Sequence, residues 1–129
     1  MTGKEQRLPD YLAHMIEAID RIEEYTHDMD KATFSATKLV IDGVIRNIEV
    51  LGEASNKVHK HHRAFADAHP EVPWQGAYEM RSVVAHDYFK VDLDIVWDTI
   101  KNDLPGVRSV IQALLGELVP QQQPARPKI

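Results

Sequence analysis

The sequence contains no cysteine, which excludes disulfide staples, thiolate zinc sites and thiol redox centres and leaves any chemistry to other side chains. No stretch approaches the roughly 20 consecutive apolar residues that a membrane span requires, and the opening MTGKEQRLPDYL lacks the apolar segment of a secretory signal. A cytoplasmic protein is the expectation. Basic residues are in short supply, with 15 Lys and Arg against 20 Asp and Glu and a formal charge of −5. Cations facing phosphates supply most nucleic-acid affinity, so this balance argues against binding over a broad basic surface and requires any such contact to be local. Glycine-rich phosphate loops, internal repeats and alternating strand patterns are also missing.

What is present is helical periodicity on a chain of one-domain length. Tyr11, Met15, Ile19 and Ile22 recur at three and four, predicting a helix from about Asp10, its N-cap, to Met29. A second and longer helix is expected to start after Thr33, capped by its hydroxyl, and to reach the basic stretch His59 to Arg63. Along it Leu39, Val40, Ile41, Val44, Ile45, Ile48, Val50 and Leu51 spread over about 240°. That is wider than one core face needs, so burial on two sides is predicted, one in the bundle and one against a second copy of the chain. The opposite arc carries Lys38, Asp42, Arg46, Glu49 and Glu53, whereas Asn47 falls on the apolar side, where its amide needs partners. The run from Phe65 to Pro73 reads as a loop because of Pro70 and Pro73. Trp74 to Ala85 is a third helix. A fourth follows in VDLDIVWDTIKNDL, capped by Asp92 or Asp94, and a fifth in PGVRSVIQALLGEL, which Pro105 begins or kinks. The expected architecture is an all-α bundle over residues 1–119 with a disordered tail over 120–129.

The chemistry concentrates in MRSVVAHDYF, where Arg81, His86 and Tyr88 follow one another at spacings of five and two. Cleaving RNA without a metal requires deprotonation of a 2′-hydroxyl and a cation to stabilise charge on the phosphoryl oxygens. Imidazole titrates near neutrality and guanidinium presents a planar fork to phosphate, so His86 and Arg81 are the residue types required. DNA lacks the 2′-hydroxyl, so the reaction is specific for RNA. On an ideal helix five residues span about 500°, leaving the two side chains about 140° apart. Either the helix ends near Ala85, or two subunits each lend their pair to a composite cleft. By spacing alone, such a pair is more often an exposed charge and a core or capping histidine.

RSVVAHDYF, followed by VDLDIVWDTIKNDLP and preceded by RNIEVLGEA on the long helix, resembles the HepT-like branch of the HEPN superfamily. The resemblance covers about Tyr11 to Leu115. It implies a helical homodimer and an endoribonuclease that needs neither metal nor other cofactor, with Arg81 and His86 in a cleft at the dimer interface. It further implies that the chain is the toxin of a type VII-like toxin–antitoxin pair, silenced when a minimal nucleotidyltransferase antitoxin adds AMP to Tyr88. Arg46, Asn47, Glu49 and Glu53 recur in the family's long-helix run and are expected to support the cleft or the interface. The motif departs from many of its relatives at Ser82, which stands where Asn, Asp or His often follows the arginine; serine hydrogen-bonds with a shorter reach. With the acidic net charge, Ser82 keeps open an alternative, a non-catalytic module that binds nucleotide or RNA as the regulated partner of a nucleotidyltransferase. A plain helical interaction protein is the third reading.

Weaker signals have structural explanations. HKHHR at His59 to Arg63 suits a helix C-terminus as well as a metal or phosphate-backbone site. Asp92 and Asp94 suit helix capping better than half of a metal site, and Trp74 and Trp97 suit a core better than base stacking.

Overall fold

The longest helix lies at the centre of the arrangement. The computed structural model describes residues 7–86 and 91–119, with Ala85 and His86 described by their backbone alone. Its helices are α1 (Leu8–Thr26), α2 (Lys31–Ala36), α3 (Lys38–His61), α4 (Arg63–Ala68), α5 (Trp74–His86), α6 (Leu93–Asp98) and α7 (Leu104–Leu118). A π-helical turn, Thr99–Asp103, joins α6 to α7. No strand occurs among the described residues, and the architecture is the expected all-α bundle. No helix among them is long and apolar enough to cross a membrane. α3 packs against both α1 and α5, α7 packs on α1, and α2 contacts both α3 and α6.

The core follows the periodicity. Tyr11, Met15, Ile19 and Ile22 of α1 are buried in one cluster with Val44, Ile48, Leu51 and Val58 of α3 and with Ile111 and Leu114 of α7. Arg108 of α7 also donates to Asp20 of α1 from two nitrogens, at 2.5 and 3.2 Å. That pair is about half-exposed and contributes about 0–1 kcal/mol. Burying each of Ile111 and Leu114 contributes about 1.5–3 kcal/mol, so apolar contact and not the ion pair holds α7 to α1.

Helix boundaries differ from the sequence expectation at several points, each with a local cause. α1 begins at Leu8, and Asp10 lies in its first turn instead of at its N-cap, because Pro9 is preset for the start of a helix. The region around Thr33 forms a separate short helix capped by Asp30, whose carboxylate accepts from the Thr33 N–H at 2.7 Å. Thr37 then leaves helical geometry at φ −110° and ψ 87°, which sets the start of the long helix at Lys38. Part of the expected loop from Phe65 to Pro73 is helical, since Pro70 restricts only its immediate predecessor and α4 runs to Ala68. Phe65 packs there against the His69 and Trp74 rings. α5 runs from Trp74 to His86, within one residue of the end expected for it. Asp92 caps α6, its carboxylate accepting from the N–H groups of Asp94 and Ile95. Pro105 begins α7: it lacks the N–H that would bond to the carbonyl of Lys101, and the preceding residues adopt the wider π turn. The tail expected over residues 120–129 lies outside the described residues.

Phe34 is fully buried and its ring centroid lies 5.2 Å from that of Trp97, joining α2 to α6. Phe34→Ala is expected to lower stability by about 3–5 kcal/mol in urea unfolding. The hydrogen bond from the Thr33 N–H holds the Asp30 carboxyl below its ordinary value of 3.8. A lowered folded value means that its contribution is fully present above the ordinary value and fades as pH falls through the folded one. The melting temperature of Asp30→Ala should therefore lie below wild type at neutral pH, and the gap should close in acid.

Candidate functional site

Arg81 lies on α5 where that helix presses against α3, and Gly52 makes the approach possible. A Cβ at Gly52 would sit 2.9 Å from the Ala77 carbonyl oxygen, 3.1 Å from the Arg81 Cβ and 3.3 Å from the Tyr78 Cα. The nearest of these atoms is backbone and cannot swing aside. One turn further along α3, the buried Ser55 hydroxyl donates to the Trp74 carbonyl at 2.6 Å. The Trp74 indole N–H in turn donates to the His69 carbonyl at 3.0 Å. The start of α5 is thus tied to α3 by a buried hydrogen bond, and its distance from α3 is set by a glycine.

The Arg81 guanidinium is half-exposed, with Nε 3.8 Å from Oε2 of Glu53 and Cζ 5.3 Å from the centroid of the Tyr78 ring. A solvated pair of this kind contributes about 0–1 kcal/mol, and a cation–π contact at such a site about 0.5–1 kcal/mol. These contacts orient the guanidinium without sequestering it, leaving donors for an incoming anion. Arg81 shares an open groove of about 630 Å³ with His14 of α1 and with Arg46, Glu49, Glu53 and Lys57 of α3. Three permanent cations against two carboxylates make this groove locally positive on a chain whose total charge is −5. An apolar crevice of similar size, about 590 Å³, lies between Met15, Leu51, Met80 and Leu104, and no Lys, Arg or His lines it. The groove is therefore the better site for anion chemistry.

Of the residues singled out from the sequence, Arg46, Glu49, Glu53 and Arg81 come together in the groove. Asn47 does not line it: the side chain is buried, and its Nδ2 donates to the Gly43 carbonyl at 2.9 Å. Ser82 is exposed on α5. The backbone of His86 is the last turn of α5, and Tyr88 lies outside the described residues. The HKHHR residues do not converge. His61 ends α3, and His62 follows it with its ring edge-on to Tyr11 at 6.0 Å and its Nε2 buried without a hydrogen-bond partner. Asp92 caps α6 and Asp94 pairs with Lys31 at 2.8 Å. Trp74 is buried, while Trp97 packs on Phe34 beneath the ammonium of Lys101.

Gly52, Ser55, Lys57 and His14 were not singled out from the sequence. Lys57 follows Glu53 by four residues and could have been found from helical periodicity, whereas His14 comes to the groove only through the packing of α1 on α3. Gly52→Ala should force α5 away from α3 and destabilise the protein by about 1–3 kcal/mol in urea unfolding, despite alanine's better helix propensity. Ser55→Ala leaves the Trp74 carbonyl without its side-chain donor and should cost about 1–3 kcal/mol in the same measurement.

Residues 15–114 match the family described as Ribonuclease HepT-like. A Thermococcus cleftensis protein named "Probable ribonuclease HepT" is 37% identical over 105 residues, which cover 81% of this chain and 93% of that protein. A Methanocaldococcus jannaschii protein named "Gamma-glutamylcyclotransferase and putative RNase" is 37% identical over 108 residues, 84% of this chain but only 47% of that longer protein. A second protein of that organism, named "Putative RNase", is 32% identical over 108 residues, covering 84% and 90% of the two chains. No solved structure matches the chain. The family match spans most of the chain, from the middle of α1 nearly to the end of α7, and so includes the α3 wall of the groove and the helix that carries Arg81: this protein belongs to the HepT-like ribonuclease family.

Proposed function

We propose that the protein is a metal-independent endoribonuclease and the toxin of a two-component toxin–antitoxin pair. The observation that carries this reading is the placement of Arg81 in a locally positive groove, five residues before His86, on a chain of the HepT-like family. Arg81 binds the scissile phosphate and stabilises charge on its non-bridging oxygens. His86 takes the proton from the 2′-hydroxyl as its oxygen attacks phosphorus; the P–O5′ bond breaks, and the departing oxygen takes a proton from a second imidazole. The products are a 2′,3′-cyclic phosphate and a 5′-hydroxyl.

The second imidazole is supplied by a second copy of the chain. Positions 81 and 86 of a continuous helix are about 140° apart, so a composite cleft serves both roles better than one subunit does. Apolar side chains support this assembly: Leu39 is 83% exposed, Val83 is 52% exposed, and Val40, Ile41 and Ile45 are half-buried. Leu39, Val40, Ile41 and Ile45 belong to the wide apolar arc on α3, and a second copy can bury what the bundle leaves exposed of it and of Val83. Silencing follows when a partner nucleotidyltransferase presents ATP to Tyr88. The phenol oxygen attacks the α-phosphorus, pyrophosphate leaves, and the AMP group places a negative charge two residues from His86.

In excess EDTA the purified protein should cleave single-stranded RNA to cyclic-phosphate ends, while Arg81→Ala and His86→Ala each lower the rate at least about 100-fold. Cleavage that requires an added divalent metal would overturn the mechanism. A correctly folded wild type that binds RNA without cutting it, with Tyr88 free of AMP by mass spectrometry, would favour the non-catalytic binding module. Light scattering should give the mass of a dimer for wild type and a monomer for a double Leu39→Glu, Val83→Glu variant.

A further inference from the structure

The groove extends past Arg81, and its far portion has no role in the chemistry above. Arg46, Glu49, Glu53 and Lys57 recur at three and four along α3 and line one face of it, with His14 of α1 alongside. Glu53 is engaged by Arg81, but among the described residues no ion pair engages Arg46 or Lys57. These cations face a groove that also holds carboxylates, yet they remain uncommitted. Lys57 stands four residues beyond Glu53, about 6 Å along the helix axis, or one step of the phosphate spacing along an extended RNA strand.

We infer that Lys57, with His14, forms a second phosphate subsite that holds the nucleotide next to the scissile phosphate of a single-stranded RNA. The proposal rests on the ribonuclease reading and names how the same groove holds its substrate. A free polyanion fits this groove less well than a nucleotide does, because Glu49 lies among the cations and would repel a purely anionic ligand. A nucleotide satisfies both kinds of group: its phosphates face Lys57 and Arg81, and the exocyclic amino group of a base donates to the Glu49 carboxylate. Such a base edge is accessible when the strand is unpaired, which points to single-stranded RNA over a duplex.

The test is fluorescence anisotropy with a 2′-O-methyl RNA oligonucleotide, in which the attacking hydroxyl is blocked, across a series of salt concentrations. Wild type is compared with Lys57→Gln, His14→Gln, Arg81→Ala and, as a control for loss of a charge that does not line the groove, Arg21→Gln. Lys57→Gln should weaken binding about three- to tenfold and reduce the slope of log affinity against log salt by about 0.7, the amount expected for one single-strand phosphate contact. Arg21→Gln should stay within about twofold of wild type. If Lys57→Gln behaves like Arg21→Gln while Arg81→Ala loses binding, the subsite is overturned and the ribonuclease reading stands. If wild type binds no RNA, both fall. Equal affinity for heparin and for the oligonucleotide overturns the nucleotide subsite in favour of a general anion patch. Should Lys57→Gln fail to fold by circular dichroism, His14→Gln and the wild-type salt slope decide the matter.

Discussion

The close contact of α5 with α3 at Gly52 is the constraint on which the site depends. Arg81 is one of the atoms' owners in that contact, so the glycine that lets the helices meet also fixes how far the guanidinium stands from Glu53 and the groove. Glycine in a helix interior costs about 0.8–1 kcal/mol relative to alanine. The bundle recovers that cost because the contact lets α5 bury Val84 and Trp74 in the same core that α3 serves. The buried Ser55 hydroxyl bond at the start of α5 gives the helix a second anchor, so that two small residues on one face of α3 determine the placement of the helix that carries Arg81.

Charge is distributed so that an acidic protein retains a positive groove. Much of the carboxylate surplus lies on α1, where Glu17 pairs with Arg21, Glu23 with His27 and Asp20 with Arg108. Asp30, Asp92 and Asp94 serve helix starts and the contact between α2 and α6. These groups stabilise the bundle locally and stand outside the set of residues that lines the groove. The net charge of the chain is therefore a poor guide to the charge of any one groove; what acts within a screening length is the set of groups that line it.

Membership of the HepT-like ribonuclease family and the groove bear on the same residues. The family match gives the catalytic reading its reaction class, and the groove supplies oriented cations that such a reaction needs. Exposed Leu39 and Val83 support the proposed composite site, since large apolar side chains left in water gain by burial against a second copy.

Local chemistry made much of this protein legible from its sequence. The three-and-four spacing marked α1 and α3, proline and aspartate punctuated the later helices, and the absence of strand patterns left only a bundle. Arg46, Glu49 and Glu53 were separated from the apolar arc by periodicity alone, and the structure brings them to Arg81. Short-range signals misled where two of them competed, as at Thr33, where the Asp30 carboxylate reached the helix start first, and at Phe65, where proline was read as acting further upstream than it does. The approach distance at Gly52, the tie from Ser55 to Trp74 across 19 residues and the arrival of His14 beside Lys57 were decided by tertiary structure. Periodicity states which face of a helix is apolar, but which helix covers that face, and how closely, depends on side-chain volumes on both partners, and these are specified jointly by residues far apart in the chain.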